Sequence, residues 1–206
     1  MHEYRAGIPV PKRCTGIPCA RRGSFEAMAS TCSVFCGLRL EGFIARTDGA
    51  LDFLEGDGSA DMDDHGYEAF MSSVDAIVMG RNTFETVMTF GKWPYARKVV
   101  VLSNRTVDLS AARERGADVE QMSGTPQELV AALGAKGAHG LYIDGGRTVQ
   151  RFLSAGLIDR LIVTHVPVLI GQGIPLFGPL EQDIRWKLVA SRSFPNGLVQ
   201  SEYARR

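Results

Sequence analysis

The sequence predicts an α/β fold: a mixed, mainly parallel sheet with helices on both faces and an antiparallel hairpin at its C-terminal end. Three observations carry that reading. Short runs rich in Val, Ile and Leu alternate with segments of helical spacing, which is the pattern of strand–helix–strand units. Several of those runs are apolar throughout, as strands covered on both faces are. Near the end, Pro195-Asn196-Gly197 separates two strand-like runs, and Asn-Gly between such runs marks a hairpin turn.

Cys32–Leu38 reads as the first strand, followed by Glu41–Ala45 and a turn at Thr47-Asp48-Gly49. Residues 55–64 form an acidic, glycine-containing loop. Its Asp positions and closing residue do not fit a calcium loop, so a solvated loop is expected. Tyr67, Phe70, Met71 and Val74 repeat at helical spacing, and the Asp64 side chain is placed to cap that helix. Asp75–Gly80 is a buried strand ending in glycine, and Arg81–Met88 opens the next helix. Lys98–Leu102 is a third strand and Ala117–Gln121 a short fourth. Thr125-Pro126-Gln127-Glu128 is a capping box with proline at the first helical position. Leu141–Asp144 is a buried strand that runs through Gly145-Gly146-Arg147-Thr148 into a helix. Arg160–Ile170 is the longest strand expected, with Pro167 marking a bulge or an edge. Gly171–Phe177 reads as a loop, and Trp186–Phe194 with Leu198–Ala204 as the closing hairpin.

Composition bounds the function. The chain has 206 residues, 45% of them hydrophobic, enough for one well-packed domain. Its formal net charge is zero, so no basic surplus points to nucleic acid or an anionic membrane. No apolar run approaches the ~20 residues of a membrane span. Cys14, Cys19, Cys32 and Cys36 have neither zinc nor thioredoxin spacing, and a reducing cytoplasm fits them. Residues 1–30 hold three prolines and a basic excess without periodicity. They read as a disordered leader with no secretory h-region, leaving 31–206 as the folded domain.

Polar and basic residues cluster at the carboxyl ends of three strands: Gly80-Arg81-Asn82-Thr83, Ser103-Asn104-Arg105 and Gly145-Gly146-Arg147-Thr148. Backbone N–H groups opening a helix lack internal partners, and the helix dipole favours anions there. Glycine lets a ligand approach the main chain. Three such junctions on one sheet edge suggest a nucleotide with several phosphates, although neither G-x-G-x-x-G nor a P-loop is present.

The words Met79–Glu85, Val101–Arg105, Ile143–Arg147, Val163-Thr164-His165 and Pro167–Phe177 together resemble the dihydrofolate reductase superfamily. They are closest to its branch related to the reductase domain of the bifunctional riboflavin deaminase-reductase. The resemblance covers about residues 33 to 204 and implies the three-layer fold of that superfamily. It implies an NADPH-dependent oxidoreductase that transfers a hydride to a small pterin- or pyrimidine-like heterocycle. Gly80, Arg81, Asn82 and Thr83 would then meet the cofactor phosphates. Ser103 and Arg105 would sit near the adenosine 2′-phosphate, with Leu102 and Asn104 also meeting the cofactor. Ile143, Gly145, Gly146, Arg147 and Thr148 would line the pyrophosphate, and Gly37 and Ala45 would flank the nicotinamide.

The proton source is open between two arrangements. A folate-like one implies an acid on the first helix, with Asp64 and Glu68 as candidates, Asp64 lying ahead of Tyr67 and Phe70 on the substrate-facing helix. A riboflavin-like one implies Glu41 in Arg39-Leu40-Glu41-Gly42, where that branch carries Ser-x-Asp-Gly. Thr164 would orient the substrate or the acid. Two other functions stay open: 5-amino-6-(5-phosphoribosylamino)uracil reductase of riboflavin biosynthesis, and a non-catalytic nucleotide-binding protein on the same scaffold. The resemblance also implies a homodimer, through the sheet edge or the C-terminal hairpin.

Overall fold

The computed structural model describes residues 30–52 and 64–206. The expected leader, with Cys14 and Cys19, lies outside the described residues, as does all of the acidic loop except Asp64. In chain order the strands are β1 (Thr31–Arg39), β2 (Phe43–Ala45), β3 (Ala76–Gly80), β4 (Lys98–Leu102) and β5 (Val119–Met122). They continue with β6 (Gly140–Asp144), β7 (Arg160–Val166), β8 (Ile174–Pro175), β9 (Trp186–Ser193) and β10 (Val199–Arg205). The helices are α1 (Tyr67–Ser72), α2 (Arg81–Met88), α3 (Ser110–Glu114), α4 (Pro126–Ala135) and α5 (Gly146–Ser154).

Eight strands form one sheet in the order β5-β4-β3-β6-β1-β7-β10-β9. From β5 to β7 every neighbouring pair is parallel. β10 and β9 then add antiparallel, as the Asn-Gly turn requires. The β3 side chains show why the strands read as continuous apolar runs. Ala76 and Val78 belong to one core, with residues of α4 and α5 such as Leu129, Leu133, Val149 and Phe152. Ile77 and Met79 belong to the other, with Phe70, Phe84, Val87 and Ala112 of α1, α2 and α3. All four β3 side chains are wholly buried. A strand pressed between two helical layers must be apolar at both parities. Phe152 is also fully buried, and such burial contributes about 1.5–3 kcal/mol per large side chain.

Three local expectations are corrected. The segment before β5 contains α3, whose five residues are too short to show helical periodicity; Ala112 anchors it in the core. The long strand stops at Val166 because Pro167 has no N–H to continue the ladder. Within the expected 171–177 loop, β8 pairs antiparallel with β2. The capping box is present: Thr125 Oγ1 accepts from Glu128 N–H at 3.3 Å and Glu128 Oε2 from Thr125 N–H at 2.8 Å. Among the described residues, no helix is long and apolar enough to cross a membrane.

Candidate active site

The winding of the chain reverses once. From β1 it runs outward through β3 and β4 to β5. β6 then enters between β3 and β1, and α5 leads on to β7 on the other side. α1, α2 and α3 pack on one face of the sheet, α4 and α5 on the opposite face. At β3 and β6, two adjacent parallel strands therefore send their following helices to opposite faces. A crevice between the first helical turns follows from this reversal, and ligands bind there in sheets of this kind.

Both helices at the crevice open on glycine. Gly80 is the N-cap of α2 and Gly145 that of α5, and neither end carries a side-chain cap. By contrast, Thr125 caps α4 and the Asp64 carboxylate closes the entry to α1. The first N–H groups of α2 and α5 are thus left for a ligand. The two ends also lock together. A Cβ on Gly145 would overlap Thr83 Oγ1, and φ of 84° at Gly145 already favours glycine. A Cβ on Gly80 would lie 3.2 Å from Thr148 Oγ1. Thr83 and Thr148, both expected at the phosphates, stand at the crevice from opposite sides. The Gly146 position is closed by β8, since a Cβ there would lie 2.7 Å from Pro175 O.

β4 lies beside β3, so its carboxyl end adds the third junction. Arg105 is exposed there, and among the described residues its guanidinium has no partner. Asn82, Asn104 and Arg147 are likewise exposed at strand ends. Arg81 is shared with Glu85 at 3.7 Å, an exposed pair one turn apart. Leu102 is nearly buried at the end of β4. Gly37 sits opposite Thr164 in the β1–β7 ladder, and Ala45 is buried on β2. Ile143 is fully buried in the core under the crevice, so its side chain packs there and does not line a ligand surface.

The expected proton donors have other partners. Asp64 Oδ1 accepts from Gly66 N–H at 2.8 Å and Oδ2 from Glu68 N–H at 2.7 Å. Those bonds hold its carboxyl below the usual range and make it a helix cap, with its charged form favoured. Glu41 accepts from Ile170 N–H at 2.9 Å and Gly171 N–H at 2.7 Å. It ties the β1–β2 turn to the chain beyond β7. Buried Thr164 accepts at Oγ1 from Gln200 Nε2 at 3.0 Å, which places it inside a polar junction with β10. Arg39, another substitution in the riboflavin-type word, is fully buried and lies 4.0 Å from Asp52.

A different carboxyl has the properties of an acid. Asp144 ends β6 at the crevice, immediately before Gly145. Burial pushes its pKa up to about 6, against a single backbone N–H from Gly145 at 2.8 Å. Its charge in turn raises the pKa of Cys36, Tyr67, Tyr95 and Tyr142, each of which is also raised more strongly by its own burial. The surroundings are aromatic. Phe35 and Tyr67 rings meet at 5.6 Å, Phe70 and Tyr142 at 5.1 Å, and Trp93 and Tyr95 at 5.6 Å. Tyr142 Oη donates to Phe35 O at 2.8 Å. The sequence contained a weak signal for this group: Asp144 is the lone carboxylate in the run Leu141-Tyr142-Ile143-Asp144. Its desolvation becomes visible only once β6 is central.

The family model for the RibD C-terminal domain matches residues 39–200. A Bacillus subtilis (strain 168) protein of uncharacterised function, YwjB, is 30% identical over 177 residues, covering 84% of this chain and 96% of that protein. The crystal structure of a Shewanella sp. PV-4 protein named for riboflavin biosynthesis is 39% identical with a TM-score of 0.79. That match covers 85% of this chain and 99% of the other. Dihydrofolate reductase from Enterococcus faecalis, solved with NADP(H), shares the fold at 17% identity and a TM-score of 0.56, covering 85% and 96%.

The raised pKa of Asp144 makes stability depend on pH. Between its ordinary value of 3.8 and about 6 the folded chain holds a proton that the unfolded chain releases. Stability from this group is therefore full at acid pH and is lost as pH rises through that window. Urea unfolding at about pH 4.5 and about pH 7.5 should show wild type losing stability relative to Asp144→Asn at the higher pH. Parallel behaviour of the two proteins would show that Asp144 is not desolvated.

Proposed function

The chain belongs to the RibD C-terminal domain family, and on that basis we propose that it is an NADPH-dependent reductase of a small pterin- or pyrimidine-like heterocycle. The family and its neighbours make it a reductase of the pyrimidine-reductase kind on a dihydrofolate-reductase-like fold. The observation that supports the cofactor is the pair of uncapped, glycine-opened helices at adjacent strand ends. Their N–H groups, with Thr83 and Thr148 beside them, suit a pyrophosphate. Arg105, exposed on the neighbouring strand end, suits a 2′-phosphate, where a guanidinium forms paired charge-assisted bonds.

When bound, NADPH supplies the hydride. The remaining chemistry belongs to the chain. Asp144 in its protonated form gives a proton to the substrate nitrogen or oxygen that gains charge as the hydride arrives. Desolvation at the end of β6 raises its pKa to about 6, so it keeps a proton to higher pH than an ordinary carboxyl. Gly37 and Ala45 would flank the nicotinamide, and hydride transfer there would need donor and acceptor atoms held ~3–3.5 Å apart.

The 39% identity to a protein named for riboflavin biosynthesis favours a second reading within the same chemistry. In that reading the substrate is 5-amino-6-(5-phosphoribosylamino)uracil. Turnover of that compound against its base without the phosphoribosyl group separates the two. We also propose that two copies pair along β9. Seven of its eight residues are exposed, including Leu188 and Val189, and its outer edge has no strand partner among the described residues.

Titration of the protein with NADPH and NADH tests the cofactor assignment. Arg105→Ala should weaken NADPH by about 1.5–3 kcal/mol and leave NADH nearly unchanged. Equal losses would remove Arg105 from the 2′-phosphate. Turnover of an accepted substrate should fall as pH rises through about 6, the value to which burial brings Asp144. Asp144→Asn should cut it by ~10²-fold with NADPH affinity retained. An unchanged rate would assign the proton elsewhere. Light scattering at micromolar concentration should give the mass of a dimer; a monomer would exclude pairing along β9 at that concentration.

A further inference from the structure

The loop after β4 is organised by one side chain that the sequence reading did not single out. Gln121 lies on β5, in register with Val101 of β4. Its Nε2 donates to Ser103 O at 3.0 Å and to Arg105 O at 2.8 Å. Its Oε1 accepts from Val107 N–H at 2.9 Å. Ser103 completes the arrangement, its Oγ donating to Arg105 O at 2.7 Å and accepting from Arg105 N–H at 3.1 Å. The main chain of Arg105 is therefore bonded at both its N–H and its carbonyl. Its side chain is left exposed, with no partner among the described residues.

Apolar packing anchors the far end of this loop, where Val107 and Leu109 meet the core. A cleft of about 780 Å³ opens beside the loop, lined by Val107, Ser110, Arg113, Glu120 and Gln121 among others. Between Ser103 and Val107, hydrogen bonds define the loop's path. Only a primary amide fits the pattern, because two carbonyls need donors and one N–H needs an acceptor. Leucine would supply neither, and glutamate would turn carboxylate oxygens toward two carbonyls.

We propose that Gln121 is a positioning residue that sets the cofactor preference by fixing Arg105. This inference rests on the reading of the chain as an NADPH-binding reductase. A long arginine on a mobile loop loses conformational freedom when it grips a phosphate; a fixed backbone removes part of that cost before binding. The saving applies to the cofactor that carries the 2′-phosphate and not to the one that lacks it. Gln121 thus acts on the difference between two ligands whose other contacts are shared.

The experiment is calorimetric titration of wild type, Gln121→Leu, Gln121→Glu, Arg105→Ala and the Gln121→Leu/Arg105→Ala double variant with NADPH and with NADH. Melting temperatures confirm that each variant is folded. Gln121→Leu and Gln121→Glu should each weaken NADPH about fivefold to tenfold and leave NADH within about twofold. The double variant should bind NADPH no more weakly than Arg105→Ala alone, because the glutamine has nothing left to position. Equal weakening of both cofactors, or additive losses in the double variant, would overturn the proposal by showing a general support role. Retained preference in both Gln121 variants would overturn it as well. Wild type without any preference for NADPH would bring down the cofactor reading first, and this inference with it.

Discussion

There is no space for a side chain at Gly145. Thr83, from the helix that leaves the neighbouring strand, occupies the place where its Cβ would be. That close approach depends on β6 lying directly beside β3 with the same direction. It also depends on α2 and α5 leaving to opposite faces, so that their first turns meet across the strand ends. The β6 strand comes late in the chain yet sits at the centre of the parallel region, which brings residues from both halves to one crevice. A bulkier residue at Gly145 would separate the two helix starts and, with them, the only places among the described helices where the opening N–H groups are left to glycine N-caps at adjacent strand ends.

The carboxylates divide by what their oxygens bind. Asp64, Glu41, Asp75 and Glu128 accept from backbone N–H groups at chain turns, and Asp159 accepts from Cys32 N–H at 2.8 Å. For Asp64, Asp75 and Glu128 those bonds lower the pKa, so the charged form is the one the fold uses. Asp144 is opposite in sign. One N–H bond does not offset the desolvation of a strand end flanked by aromatic side chains, and its pKa rises. A proton donor is a group that the fold makes reluctant to ionise. By that criterion Asp64 is a poor donor, because its backbone bonds favour the carboxylate, while Glu41 is held by two backbone N–H groups.

Much of the fold was legible because the central strands are buried on both faces and cannot admit polar residues. Ile77, Val78, Met79 and Val99–Val101 had to read as strand, and the hairpin declared itself through Asn196-Gly197. The glycine-opened helix starts were legible for a related reason: Gly80 and Gly145 interrupt apolar runs where a side chain would crowd Thr148 or Thr83. What stayed hidden depends on contacts distant in sequence. α3 has too few turns to show a period. Gln121 resembles any polar residue near a strand end until Ser103 and Arg105 are placed beside it. Asp144 carries an ordinary carboxylate in the sequence, and its raised pKa comes from the assembled sheet around it. Ile143 belongs to the same word, and its side chain points into the core rather than toward the strand ends.

The C-terminal hairpin extends this reasoning away from the crevice. Its strands are far in sequence from α1, yet they hold the entry to that helix. Arg192 on β9 donates to His65 O at 2.8 Å, and Gln200 on β10 donates to the same oxygen at 3.0 Å. His65 has φ of 54° and Gly66 81°, two successive left-handed residues, the first of which costs a side-chain-bearing residue of order 1 kcal/mol. The paired donors offset that cost, and the His65 ring packs on Phe194 at 4.4 Å. Thr164 braces Gln200 from β7, so its hydroxyl acts two contacts away from α1. One residue beyond Gly66, Tyr67 begins the helix and feels the Asp144 charge. The antiparallel strands are therefore not an appendage to a finished parallel sheet. They fix where α1 starts, and α1 supplies Tyr67, whose ring packs on Phe35 at 5.6 Å and whose hydroxyl feels the Asp144 charge.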